Sequence, residues 1–166
     1  MMVIRTLKQC PVFATLNKAE LEKVAALAVP RQYEAGATIF KGIGRSEELL
    51  LIEEGRVALQ IDMVVTSPQA TKRVTVDMVD KNELLGWSAF IEPDAYILTA
   101  VCLKNTRALA INSTGLRALM QEDCHIGYGF LNGLIKVVNS RLHETVRVLI
   151  SERHFEQETT DGTRPS

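Results

Sequence analysis

The spacing of apolar residues divides the chain into a helical start, a middle of short strands and a helical end. In the stretch TLNKAELEKVAALAVP the apolar residues recur at helical spacing, which predicts an amphipathic helix. Thr15 or Asn17 is suited to cap its start, and Pro30 marks its end. One face of this helix would hold Leu16, Leu21, Val24, Ala25 and Leu27.

The middle of the chain changes to the shorter period of strands. RQYEAGATIFKGIGRSEELLLIEEGRVALQIDMVV consists of apolar runs broken by glycines, and we predict a hairpin turn at Glu54 and Gly55, where the glycine supplies a positive φ. RVTVDMV alternates between apolar and polar residues, with Asp77 on its polar face. LTAVCL and TRALAI predict two more strands, which turn at Lys104 and Asn105. Strands that follow one another without helices between them predict an antiparallel sandwich or roll.

The helical period returns at Ser113. STGLRALMQED predicts a short helix capped by Ser113 or Thr114, and a long helix is expected over residues 126–153. An apolar stripe runs along the long helix and exceeds what one small roll can cover, so we expect a second copy of the helix to cover it in a homodimer. The alternative is that the helix folds back fully onto its own domain. The stripe consists of Leu131, Leu134, Ile135, Val138, Leu142, Val146 and Leu149.

Composition and charge exclude several classes of protein. The chain is 46% hydrophobic and 23% charged, with a formal net charge of −1, so it lacks the basic stripe that nucleic-acid binding requires. No signal peptide is visible, and no apolar run approaches the ~20 residues of a membrane span. Cys10, Cys102 and Cys124 have unrelated spacings, which indicates reduced thiols in a cytoplasmic protein.

The residues that usually carry catalysis or bind metals are not suitably placed. A cupin roll would need histidines on its strands, whereas His125, His143 and His154 all lie in the helical end of the chain, so no metal site is expected. The sequence has no G-x-S-x-G motif and no phosphate-binding loop of the Walker type, so we expect no enzyme. The charged residues of SRLHETVRVLISER are interpreted as a solvated helix face, with Glu144 three residues from both Arg141 and Arg147.

Four stretches, in this order along the chain, resemble the cyclic-nucleotide-binding domain of the catabolite activator protein family. They are LKQCPVFATLNKAELEKVA, YEAGATIFKGIG, ELLLIEEGRVAL and NELLGWSAFI with TAVCL, and the resemblance covers roughly residues 7–150. It implies an α+β fold: an antiparallel β-roll of the double-stranded β-helix or jelly-roll type, flanked by an N-terminal helix and a long C-terminal dimerisation helix. We assign residues 1–153 to this domain and expect residues 154–166, which are polar, to form a disordered tail. No helix-turn-helix region follows the long helix within this sequence.

The resemblance identifies NELLGWSAFIEPDAYILTAVCL as a variant of the family's phosphate-binding cassette, a short loop and helical turn between two strands. In that family a glutamate directly after the glycine binds the ribose, and an arginine further along binds the cyclic phosphate. Here Trp87 follows Gly86, and no arginine occurs between Arg73 and Arg107. Conventional cyclic AMP binding is therefore doubtful. The residues that remain as candidates for contact with a ligand are Leu85, Gly86, Trp87, Ser88, Ala89, Tyr96, Thr99 and Ala100.

Each distinctive residue of the cassette has two interpretations. Trp87 is either a wall on which a flat ligand stacks or a plug that fills the pocket. Tyr96 either offers its hydroxyl in place of the missing arginine or is an ordinary strand tyrosine. Ser88 either completes an anion-binding turn or caps a helix, and Thr99 either faces the pocket or simply suits a strand.

The resemblance predicts a non-enzymatic regulatory domain, a homodimer that binds a small ligand and acts through its long helix. A cyclic nucleotide is one ligand to test, and no cofactor is expected. Since no output domain is visible, a signal would pass through dimer geometry or a downstream protein partner. The alternative is a ligand-free protein-interaction module whose pocket is plugged by Trp87.

Overall fold

The computed structural model describes residues 2–42, 47–64, 71–90 and 98–161, of which 63, 64, 71, 72, 89, 148, 149 and 151–161 are described in backbone only. Two four-stranded antiparallel sheets face each other, with helices at both ends of the chain. This arrangement confirms the predicted α+β fold and its antiparallel roll. The strands are β1 (Ala28–Tyr33), β2 (Thr38–Phe40), β3 (Glu48–Glu54), β4 (Val57–Val64), β5 (Thr71–Val79), β6 (Leu84–Leu85), β7 (Thr99–Cys102) and β8 (Thr106–Asn112).

Two short helices, α1 (Met2–Gln9) and α2 (Lys18–Ala25), precede the roll. Asn17 caps α2 by accepting from the backbone of Glu20, whose side chain accepts from the Asn17 backbone in return. The expectation that this helix runs to Pro30 was wrong. Pro30 lies in β1, which is the edge strand of the sheet β1-β8-β3-β6, where a missing N–H is tolerated.

The turn at Glu54 and Gly55 is a crossover between the two sheets, so the predicted hairpin was wrong. β3 pairs with β6 and β8 in the first sheet, whereas β4 pairs with β5 and β7 in the second. Gly55 does have the expected positive φ, of 111°. A Cβ on it would lie 2.7 Å from the Cα of Thr106, because the return crossover, from β7 to β8, packs against this turn. Only glycine fits there.

The apolar run of β3 is buried on both faces and belongs to two cores. Leu49 and Leu51 pack with the helices, and Leu50 and Ile52 pack between the two sheets. All four are at most 1% exposed. Such a two-sided strand explains why this run does not alternate between apolar and polar residues.

Helix α3 (Ser113–Glu122) follows β8 directly. Its cap is Asn112, whose side chain accepts from the backbone N–H of Gly115 at 2.7 Å. The predicted cap at Ser113 or Thr114 was therefore wrong, because the hydroxyl of Ser113 instead donates to the carbonyl of Glu47, just before β3.

The last helix, α4 (Cys124–Asp161), is longer at both ends than the predicted range 126–153. No glycine or proline occurs between Arg153 and Gly162, so nothing in the sequence breaks the helix there. Residues 154–161 continue this helix, and residues 162–166, the rest of the tail that we expect to be disordered, lie outside the described part of the chain.

Different faces of α4 have different surroundings. Phe130 is fully buried and Leu134 is 8% exposed, because both pack on the core that lies under the helices. Val138 is half-buried against the same core. The other described members of the predicted stripe are exposed: Leu131 (52%), Ile135 (65%), Leu142 (60%) and Val146 (43%). The side chain of Leu149 lies outside the described residues.

Candidate functional site

Residues 84–90, the part of the cassette called the cassette segment below, begin as the short strand β6 and end as the 3-10 helix Trp87–Phe90. β6 pairs with β3, through Leu50 with Leu85 and Leu51 with Leu84. Gly86 has a φ of 82°, a value that side-chain-bearing residues rarely adopt, and it turns the chain out of the sheet into the 3-10 helix. The glycine thus turns the chain at the start of the 3-10 helix.

A cavity of ≈ 660 Å³ lies beside this segment, with the second sheet (β2-β7-β4-β5) on one side and α4 on another. This volume is within the range of roughly 300–1,000 Å³ that is usual for small-molecule pockets. The apolar part of its lining consists of Phe40, Leu59, Val76, Gly86, Trp87 and Leu98, and the polar part of Thr75, Asp77, Ser88, Arg141, Glu144 and Thr145.

Trp87 lies between this cavity and the helical core. Its indole is half-buried and packs against the core cluster that contains Phe13 and Phe130, and it also lines the cavity. The indole therefore forms a wall of the cavity, and the ≈ 660 Å³ of space remains beside it.

The structure brings some of the predicted site residues together and separates others. Gly86, Trp87 and Ser88 line the cavity. Leu85 and Ala100 are fully buried between the sheets, because both point from strands into the inter-sheet core. They do not line the cavity.

Three other candidates are described incompletely or are placed elsewhere. The hydroxyl of Thr99 is turned towards the loop after β2, where it accepts from the backbone N–H of Gly42 at 3.3 Å. Thr99 is 8% exposed and is not part of the cavity lining. Tyr96 and the side chain of Ala89 lie outside the described residues.

Sequence reasoning missed the polar residues that α4 and β5 contribute. The Nε atom of Arg141 lies 3.3 Å from Oδ2 of Asp77, and its Nη2 donates to the carbonyl of Leu84 at 3.3 Å. The Arg141 side chain is 18% exposed, so its interpretation as part of a solvated helix face was wrong. No local signal distinguishes it from the other arginines of α4, because only the docking of the helix decides which of them meets β5.

A β-bulge helps to place Asp77 in the cavity wall. The register between β4 and β5 shifts at this point, so that Leu59 pairs with Asp77 and Gln60 pairs with Thr75. Val76 has no partner of its own, which is the signature of a bulge. As a result Thr75, Val76 and Asp77 all line the cavity, and the predicted alternation of RVTVDMV is interrupted here.

Within the described ranges, no group of three His, Cys, Asp or Glu side chains is arranged to hold a metal ion. Over the same part of the chain, no helix has the length and apolar character needed to cross a membrane.

A family model described as the cyclic nucleotide-binding domain matches residues 30–123. No curated protein matches the chain. A solved structure of a protein from Geobacter metallireducens GS-15, assigned as cyclic nucleotide-binding, is 27% identical, with a TM-score of 0.72 and with 86% of this chain and 100% of that chain covered.

Two more distant structures share the fold. A cyclic nucleotide-binding domain from Methylobacillus flagellatus KT has a TM-score of 0.75 at 15% identity, with 90% of this chain and 82% of that chain covered. The catabolite activator protein of Thermus thermophilus has a TM-score of 0.68 at 21% identity, with 88% of this chain and 64% of that chain covered.

Proposed function

The chain belongs to the cyclic nucleotide-binding domain family, and from that premise we propose that it is a non-enzymatic regulatory domain that binds a small, largely apolar molecule. The observation that carries this proposal is the cavity of ≈ 660 Å³, because it has both the cassette segment and α4 in its lining. A ligand there touches the helix directly. Binding can therefore favour one position of α4 over another, which is what a regulatory signal requires.

A conventional cyclic nucleotide fits this site poorly. Trp87 replaces the glutamate that would bind the ribose, and the sequence has no arginine between Arg73 and Arg107 to meet the phosphate. A charge-assisted hydrogen bond of that kind contributes roughly 1.5–3 kcal/mol, or about 10- to 100-fold in affinity. The apolar side chains of Phe40, Leu59 and Leu98 suit a ligand with few polar groups.

The second candidate is a ligand-free interaction module in which Trp87 serves the core alone. The packing of the indole against the helical core favours it. Against it stands the volume of the cavity, which the indole leaves open.

The signal would reach a partner through α4. This helix has 38 residues, which corresponds to about 57 Å at about 1.5 Å per residue, longer than the cavity it lines. Leu131, Ile135, Leu142 and Val146 are between 43% and 65% exposed on it. We propose that a second copy of α4 covers these residues in a homodimer, and that a downstream protein reads the dimer. The free thiols of Cys10, Cys102 and Cys124 agree with our proposal of a reducing compartment, the cytoplasm.

The test is a titration of the purified protein with cyclic AMP, cyclic GMP and the neutral aromatic probe N-phenyl-1-naphthylamine, followed by the emission of Trp87 and by calorimetry. Trp87 is the only tryptophan and lines the cavity, so a ligand bound there changes its emission. We expect the neutral probe to bind with a Kd on the order of 10 μM. Neither nucleotide should change the emission or give a binding signal at concentrations up to about 1 mM.

A pair of matched variants locates the bound probe. Thr75 lines the cavity and its side chain is exposed, so Thr75→Phe should obstruct the entrance and abolish probe binding. Thr114→Phe places the same side chain on α3, away from the cavity, and should bind the probe as the unmodified protein does. If neither the probe nor the nucleotides bind, the receptor function is refuted and the interaction module takes its place. Saturable micromolar binding of cyclic AMP would refute our interpretation of the cassette.

A further inference from the structure

The lining of the cavity includes charged groups that the cassette does not supply. Arg141 is the only cationic residue among the described residues that line the cavity. Asp77 faces it from β5, and Glu144 lies three residues further along α4. These groups are thus two carboxylates and one guanidinium.

Arg141 is already engaged in this arrangement. Its Nε atom lies 3.3 Å from Oδ2 of Asp77, and its Nη2 donates to the Leu84 carbonyl at 3.3 Å. The two side chains are only 18% and 29% exposed, so their charges are screened less than those of surface pairs. An anion that took the guanidinium would leave the partly buried carboxylate of Asp77 without its cation, with the backbone N–H of Met78 still donating to it at 2.8 Å, and the loss of the cation is costly.

Glu144 also disfavours the binding of an anion in the cavity. Glu144 lines the cavity, is exposed and lies three residues from Arg141 on α4, so a ligand that contacts this part of the helix meets a second negative charge. Opposite charges close together favour binding and like charges oppose it. An uncharged ligand meets neither penalty and keeps the contacts with Trp87, Phe40 and Leu59.

We propose that Asp77 determines the charge of the ligand: by neutralising Arg141 it prevents that arginine from acting as an anion receptor, so the cavity selects uncharged aromatic or aliphatic molecules over anions, cyclic phosphates included. This inference rests on the proposed receptor function. It gives a second cause for the exclusion of anions, besides the missing arginine of the cassette. The cavity does contain an arginine, Arg141, but the carboxylate of Asp77 on β5 pairs with it. The inference also predicts that one nearly isosteric substitution converts the site into an anion receptor.

The test compares two probes that share an anilinonaphthalene ring system. One is neutral N-phenyl-1-naphthylamine, and the other is 8-anilinonaphthalene-1-sulfonate, which adds one negative charge. The quantity measured is the ratio of the affinity for the sulfonate to the affinity for the neutral probe. In the unmodified protein this ratio should be below one. In Asp77→Asn it should rise about 10- to 100-fold, the value of one charge-assisted hydrogen bond.

Three further variants test the cause. In the double variant Asp77→Asn with Arg141→Met the gain in the ratio should disappear, because it depends on the guanidinium. Asp62→Asn removes a carboxylate that pairs with Arg73 elsewhere on the same sheet, and it should leave the ratio unchanged. Glu144→Gln changes an exposed side chain that folding tolerates, and it should raise the ratio about 2- to 5-fold through the loss of one screened like charge.

The outcomes separate the inference from the function on which it rests. If the unmodified protein already prefers the sulfonate, or if a folded Asp77→Asn protein has the ratio of the unmodified protein, the inference is overturned while the receptor function stands. Where Asp77→Asn does not fold, an unchanged ratio in Glu144→Gln overturns it. A gain that persists in the double variant also overturns it. If neither probe binds, both the receptor function and the inference fail.

Discussion

Replacement of Gly133 by alanine tests how α4 is docked on the roll. Gly133 lies where α4 crosses the turn that follows α1, and a Cβ built on it would lie 2.5 Å from the carbonyl oxygen of Val12 and 2.6 Å from its Cα. Both distances are shorter than real Cβ contacts, and both involve backbone atoms of a fully buried residue. A backbone cannot rotate out of the way as a side chain can. Gly133→Ala therefore has to move the helix or the turn.

The sign of the effect distinguishes this contact from ordinary helix propensity. In an unobstructed helix, glycine to alanine stabilises by roughly 0.5–1 kcal/mol. Overpacking of a tight core costs typically about 1–3 kcal/mol, occasionally more. Because a Cβ at Gly133 would clash with three backbone atoms of Val12, we place its cost at the upper end of that range. The expected net effect of Gly133→Ala is a loss of about 2 kcal/mol of unfolding free energy.

Gly129→Ala is the matched control on the same helix. The closest atoms to a Cβ there are Cδ2 of Leu16 at 2.8 Å and Oγ1 of Thr15 at 3.1 Å, both at the ends of side chains, which shift at a lower cost than backbone atoms do. The gain in helix propensity is the same at both positions, so Gly129→Ala should lie within about 1 kcal/mol of the unmodified protein. The difference between the two variants isolates the contact between α4 and the Val12 backbone.

The assay is urea unfolding followed by Trp87 emission and by far-ultraviolet circular dichroism. A shift in the transition midpoint without a change in slope indicates a change in stability alone. A second measurement, the affinity for N-phenyl-1-naphthylamine, should also fall in Gly133→Ala, because a displaced α4 carries Arg141 and Thr145 away from the cavity. If Gly133→Ala is as stable as the unmodified protein or more stable, the close docking of α4 described above is refuted.

Three other perturbations probe the dimer, the wall of the cavity and a buried thiol. Leu142→Glu should yield monomers in sedimentation velocity, whereas Ser140→Glu, with the same added charge on the polar side of α4, should leave a dimer. A dimer in both variants would show that the exposed apolar residues of α4 are not the dimer interface. Trp87→Ala should lower the unfolding free energy by roughly 2–4 kcal/mol and lower the affinity for the neutral probe. A gain in that affinity, measured by calorimetry, would instead identify the indole as a plug. Burial raises the pKa of the Cys10 thiol from 9.0 to about 11, so its contribution to stability is complete below about pH 9 and is lost as the pH rises towards 11. The free energy of unfolding should fall by roughly 2–3 kcal/mol across that window, and a fall of the same size in Cys10→Ala would contradict the assignment.

Apart from α1, for which no helix was predicted, the order of helices and strands was predictable because its signals are local. Asn17 lies three residues before Glu20, a capping pair that the sequence displays. Gly55 and Gly86 have positive φ, as turn glycines should, and the change of apolar period marks where the roll begins and ends. For the cassette, the sequence shows that Trp87 follows Gly86, and the structure places Trp87 and Ser88 in the lining of the cavity.

Two of the errors share one physical cause, since each depended on a partner remote in sequence. Gly55 turns the chain equally well into a hairpin or into the opposite sheet, and only the pairing of β3 with β8 and of β4 with β7 decides between them. Pro30 was compatible with a helix end, and it is the pairing of β1 with β8 that places it in an edge strand.

The amino-acid sequence by itself therefore determined the roll, its flanking helices and the absence of an arginine from the cassette, since each of these depends on the spacing or identity of neighbouring residues. Only the tertiary structure decided which charged side chains meet in the lining of the cavity. A bulge turns Asp77 towards the cavity, and the close approach of α4 at Gly133 lets the helix place Arg141 against that carboxylate. These two charges are distant in sequence, and they form an ion pair only because the packing brings them close together in space.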